Sequence, residues 1–140
     1  MISHPDDILD ALNSGTRRLA VQSEDEDRLA ARKGPRISGD PRSHPVWRDP
    51  EVALRSTRRL VALAEKYGKR IHVLHISTAE EMVFLADHKD VATVEVTPHH
   101  LTLDETAYER LGTLAQMNPP VRDKAHRAGI WAGLDNGVVD

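Results

Sequence analysis

Two short apolar runs that end in polar, metal-capable side chains constrain this chain more than any other feature. The first, Ile71 to Ile76, carries His75 near its C-terminal end; the second, Val91 to Val96, leads into Thr97-Pro98-His99-His100-Leu101. Both are short, β-branched and followed by a helical pattern, which is how a buried strand feeding a helix reads. A strand, helix, strand order implies parallel strands joined by right-handed crossovers, and so an α/β fold. In such folds ligands sit at the C-terminal edge of the strands.

The remaining pattern supports this alternation. Ile8, Leu9 and Leu12 lie on one face of a short helix that Ser14-Gly15 ends, and Arg18 to Gln22 reads as a further buried strand. Ser23 is expected to cap an acidic helix start, Glu24-Asp25-Glu26-Asp27. From Gly34 to Pro50 the composition is that of a loop, and a loop this long inside a compact domain suggests function. Helices are expected from Pro50 to Tyr67-Gly68, after the Ser77-Thr78 cap, near Asp104 to Leu111 and from Lys124 to Leu134. Met117 to Arg122 should be extended, and Val138-Val139-Asp140 looks like a strand beginning.

Composition excludes little, but it does bear on partners. A net charge of -3 with 29% charged residues implies neither nucleic acid nor an anionic membrane as partner. With no cysteine there is no disulfide framework and no thiolate metal site, which fits a cytoplasmic location. No apolar run approaches the roughly 18 residues of a membrane span, and the start at Met1 lacks a signal-peptide pattern. A closed eight-fold barrel takes about 250 residues, so 140 residues would supply only part of one.

Several side chains could carry chemistry. His75, at a strand end, can offer a ring nitrogen to a divalent ion. His72, at odd spacing from it, is expected to pack under a helix instead. Glu95 interrupts an apolar strand, and such a carboxylate pairs with a ligand, supports a ligand histidine or turns outward to the surface. His99 and His100 are adjacent, have no ligand spacing, and read as capping or pocket-wall residues. Asn118, before Pro119-Pro120, has its amide held in place on a stiff backbone, suited to gripping a carboxylate or amide, although a plain turn would also use it.

The segments Leu74-His75-Ile76-Ser77-Thr78-Ala79-Glu80-Glu81, Glu95-Val96-Thr97-Pro98-His99-His100-Leu101 and Met117-Asn118-Pro119-Pro120-Val121-Arg122, in this order, resemble the dihydroorotases of the amidohydrolase superfamily. Ser23-Glu24-Asp25-Glu26 and Ser43-His44-Pro45 match as well, so the likeness runs through nearly the whole chain. It implies a partial TIM-type (β/α)8 barrel covering roughly strands 5 to 7 and the start of strand 8, with residues 1–140 a single segment incomplete at both ends. The implied reaction is the reversible, metal-dependent hydrolysis of dihydroorotate to N-carbamoyl-L-aspartate in pyrimidine biosynthesis, with one or two zinc ions. His75 then matches a metal ligand, Glu95 supports it from behind, and Asn118 matches the substrate-carboxylate contact.

The departures are equally specific. The family's first-strand His-x-His pair, its bridging residue and its catalytic aspartate have no counterpart among the 140 residues, so no catalytic residue is assigned within the chain. Gln22 stands where the fifth-strand histidine is expected, and a neutral amide is a poor zinc ligand. The isolated chain is therefore expected to lack activity. Two other readings stay open: a non-catalytic module supporting a partner such as aspartate carbamoyltransferase, or another copy of itself, and a hydantoinase or allantoinase type of amidohydrolase.

Overall fold

The computed structural model describes residues 5–140; the Met1 start, read above for its lack of a leader pattern, lies outside the described residues. Three strands, β1 (Leu19–Val21), β2 (Ile71–Val73) and β3 (Ala92–Val94), form a parallel sheet in the order β1-β2-β3. The register pairs Ala20 with His72 and His72 with Thr93. Around the sheet lie α1 (Pro5–Asn13), α2 (Glu26–Ala31), α3 (His44–Trp47), α4 (Pro50–Lys66), α5 (Ala79–Ala86), α6 (Pro98–Thr102), α7 (Ala107–Leu111) and α8 (Lys124–Asp135).

One face of the sheet is the core. Val21, Ile71, Val73, Ala92 and Val94 pack with Leu60, Val61, Leu85 and Ile130 from α4, α5 and α8. Period-2 alternation then puts Ala20, His72 and Thr93 on the opposite face. His72 is accordingly not under a helix, as its spacing suggested: its Nδ1 lies 2.8 Å from Thr93 Oγ1, which also accepts from Arg18 at 2.9 Å. The parallel register, invisible in local sequence, sets these three side by side.

Helix ends follow local chemistry closely. Asp49 caps α4 by accepting from Val52 N, with Pro50 at the first helical position. Gly68, at φ +61°, closes α4, and Lys69 N donates to Ala64 O at 2.8 Å while Gly68 N donates to Glu65 O. Gly137, at φ +72°, closes α8 in the same way, sending Val138 back toward the sheet. Asp140 N then donates to Val94 O at 3.0 Å, so the chain runs along β3 as the sequence suggested, without a full strand.

Two expectations are corrected. The cap of α2 is Asp25, whose side chain accepts from Arg28 N at 2.8 Å; Ser23 is buried and spends its hydroxyl on Ala53 O and Thr57 Oγ1. The stretch from Gly34 to Pro50 is not plain loop, since Pro41–Ser43 forms a 3-10 turn that runs directly into α3. Among the described residues no helix is long and apolar enough to cross a membrane.

Candidate functional site

The C-terminal ends of the strands gather Gln22 after β1, His75 after β2 and Glu95 after β3. Three backbone hydrogen bonds carry the pairing past the strands: Leu74 N to Val21 O, Glu95 N to Val73 O and Ile76 N to Glu95 O. Between them His75 adopts φ +41°, the left-handed region that a residue with a Cβ avoids. Its N–H donates to Glu95 Oε1 at 3.2 Å, and its buried Nδ1 has no hydrogen-bond partner. A strained backbone beside a buried, unpartnered ring nitrogen makes His75 the candidate position of this edge.

Glu95 turns outward, one of the roles that its place in an apolar run left open. Its side chain is 41% exposed, and Oε2 lies 3.7 Å from His72 Nε2. It braces His75 through the main chain rather than through the imidazole. Gln22 is half-buried and reaches Glu24 Oε2 at 3.4 Å. Among the described residues no group of three or more His, Cys, Asp or Glu could hold a metal ion. His75 fits as one ligand of a divalent ion, by its orphaned nitrogen; the described residues do not complete a coordination set around it.

The His pair after Pro98 divides sharply. His99 is exposed, whereas His100 is buried with both nitrogens engaged: Nε2 lies 3.1 Å from Pro119 O and Nδ1 3.0 Å from Thr97 Oγ1. A carbonyl only accepts, so Nε2–H donates to it and Nδ1 accepts from the Thr97 hydroxyl. Burial, aided by the nearby charges of His75 and Arg122, lowers the His100 pKa to about 4. His100 is thus a neutral strut that fixes the Pro119 carbonyl, one residue from Asn118.

Asn118 is exposed and lines a cavity with residues of the Gly34–Pro50 segment. His44 makes that meeting possible, because its Nε2 bonds Met117 O at 2.9 Å across 73 positions of sequence. Burial lowers the His44 pKa, which keeps the ring neutral and able to donate from Nε2 alone.

Sequence reasoning missed a buried polar network that joins these loops. Glu81, 1% exposed, accepts from Thr57 Oγ1 at 2.7 Å and Thr78 Oγ1 at 2.9 Å, and Thr57 Oγ1 is 2.6 Å from Ser23 Oγ. Arg122, 5% exposed, donates to Ser77 Oγ at 3.2 Å and to Arg48 O at 2.8 Å. Burial raises the Glu81 pKa and lowers that of Arg122, and each charge opposes the shift in the other. Arg122 therefore ties the His75 loop, the Asn118 loop and the α3 segment together. The signal for Glu81 was readable: Thr78-Ala79-Glu80-Glu81 is a capping box, with Glu81 N bonded to Thr78 Oγ1 at 3.1 Å.

No family model matches the sequence. An allantoinase of Salmonella paratyphi B is 38% identical over 101 residues, 70% of this chain and 21% of that protein. The allantoinase of Salmonella newport matches equally. Among solved structures, the dihydropyrimidinase of Brevibacillus agri NCHU1002 superimposes with a TM-score of 0.89 at 25% identity, covering 99% of this chain and 32% of that one. The L-hydantoinase of Arthrobacter aurescens shares the fold at a TM-score of 0.87, covering 99% of this chain and 35% of that one. The chain thus spans about a fifth of the length of the curated relatives it matches. Dihydroorotases, which the motifs resemble, are not among these named relatives. By sequence and backbone the chain is related to the cyclic amidohydrolases of the amidohydrolase superfamily, over a three-stranded part of their α/β architecture.

Proposed function

We propose that this chain contributes part of the active centre of a metal-dependent cyclic amidohydrolase, which opens a cyclic amide or ureide ring by hydrolysis. The observation that carries the reading is His75, held in a left-handed conformation with a buried, unpartnered ring nitrogen at the strand edge. A bound divalent ion supplies Lewis acidity to a ring carbonyl and an activated water. This chain's residues hold and orient: His75 offers a ligand nitrogen, Glu95 fixes its backbone, and Asn118 contacts the substrate. The residue that moves the proton is not assigned to this chain.

The names of the relatives support a hydantoin or allantoin type of ring. A second reading, dihydroorotate, is favoured by one observation: the cavity beside Asn118 is cationic, and dihydroorotate carries a carboxylate that those rings lack. Cobalt titration followed by NMR of the eight histidines tests the metal role. Resonances of His75 and its neighbours should broaden first, and preferential broadening elsewhere would sink it. Ring-opening assays with hydantoin, allantoin and dihydroorotate test the chemistry. The chain alone should show no turnover with any of them, since one imidazole does not build a site.

A further inference from the structure

We propose that Arg122 and Glu81 are positioning residues for His75: the two side chains clamp Ser77 and Thr78, and that clamp holds His75 in its left-handed conformation. This deepens the proposed function and rests on it only for the use made of the His75 ring nitrogen; the clamp itself rests on the path of the backbone.

The path is fixed on both sides of His75. Upstream, strand pairing settles Val73 and Leu74, since Glu95 N donates to Val73 O at 2.9 Å and Leu74 N donates to Val21 O at 3.0 Å. Downstream, Ile76 N donates to Glu95 O at 2.8 Å, and Ile76, Ser77 and Thr78 are each 1% exposed or less. Ser77 N then donates to Glu81 Oε2 at 3.4 Å, Thr78 Oγ1 donates to the same oxygen at 2.9 Å, and Ser77 Oγ accepts from Arg122 Nε at 3.2 Å. His75 stands between the two fixed stretches and takes up the change of direction from β2 into α5 at φ +41°. No glycine stands from Leu74 to Thr78 to relieve the positive φ. Such a conformation persists only where its surroundings over-determine it. The bond from His75 N to Glu95 Oε1 is the weaker restraint, because its acceptor is partly exposed to water.

Each jaw of the clamp is anchored away from the His75 loop. Glu81 Oε1 accepts from Thr57 Oγ1 at 2.7 Å, which ties the carboxylate to α4. Arg122 Nη1 donates to Arg48 O at 2.8 Å, which ties the guanidinium to the end of α3. Tyr108 OH donates to Val121 O at 3.1 Å, which ties the Arg122 backbone to α7. Both side chains are almost wholly buried, so water does not compete for these bonds. Loosening either jaw frees Ser77, and His75 then relaxes toward negative φ, the region favoured by a residue with a Cβ, taking its ring with it.

At φ +41° the amide and Hα protons of one residue are nearly eclipsed, so a strong intraresidue NOE between them identifies the conformation, and it weakens at negative φ. This NOE of His75 is read on the full chain without metal or substrate. Ser77→Ala removes the Arg122 contact to this loop, Glu81→Gln keeps the shape and removes the charge, and Arg122→Lys keeps a charge but cannot hold Ser77 Oγ and Arg48 O together. We expect the NOE to fall to about half or less in each, as when φ +41° is left by roughly half of the molecules. Leu12→Ala, which opens a cavity beneath α1, lowers stability by another route and should leave the NOE intact. If Glu81 and Arg122 only stabilise the fold, Ser77→Ala and Glu81→Gln keep the full NOE, and that result overturns the proposal. Equal weakening in Leu12→Ala overturns it as well, because the conformation would then follow general stability. Should Arg122→Lys fail to fold, Ser77→Ala and Glu81→Gln decide the matter. Cobalt plays no part in this readout, so a negative cobalt titration leaves the clamp standing, and an unchanged NOE leaves the metal role standing.

Discussion

At the scale of single residues, His75 and His100 show two opposite uses of an imidazole. His75 bears backbone strain of order 1 kcal/mol at φ +41° and keeps a nitrogen free. His75→Gly should therefore hold or raise stability toward urea by about 1 kcal/mol, whereas His75→Val, β-branched and still strained, should lower it. Equal loss in both variants would mean that the imidazole's contacts, not the backbone, dominate. His100 spends both nitrogens on the protein and stays neutral. Its pKa is near 4 folded, against about 6.5 unfolded, so the unfolded chain binds the proton that the folded one refuses. Its share of stability is complete above about pH 6.5 and is lost as pH falls toward 4, amounting to up to about 3 kcal/mol. Urea midpoints from pH 7 to 4.5 should fall accordingly, and His100→Gln should flatten that slope.

At the scale of elements, the packing of α5 on α8 sets the outer wall beneath the His75 loop. In an exposed helix, Gly→Ala gains about 1 kcal/mol. At Gly129 the added Cβ would stand 2.3 Å from Ala79 Cβ and 2.9 Å from its Cα, where nothing flexible can yield. Overpacking of that kind costs about 1–3 kcal/mol, so Gly129→Ala should destabilise. At Gly133 the added Cβ meets the Met82 thioether, 2.7 Å from Sδ, and that chain can turn away. Gly133→Ala should be close to neutral or mildly stabilising, and thermal melts of the two variants side by side test the contrast.

At the scale of the whole molecule, the loop that carries His75 and the cavity beside Asn118 lie on either side of the buried Glu81–Arg122 network. Zinc up to submillimolar concentration should leave Tm unchanged, since a ligand stabilises only in proportion to the logarithm of its concentration over Kd, and one imidazole keeps Kd high. A clear rise in Tm that His75→Ala removes would show a coordination set beyond the one visible here. By itself the sequence determined the alternation of strands and helices, the parallel sheet and the glycine stop at Gly68, because propensity, capping and period-2 alternation act within a few residues along the chain. It could not tell which face His72 occupies, that Ser23 is buried and Asp25 caps, that Glu95 braces His75 through the backbone, or that His44 meets Met117. Those were decided by tertiary structure alone, because each depends on strand register or on a hydrogen bond between residues far apart in the chain, and no local pattern encodes the partner.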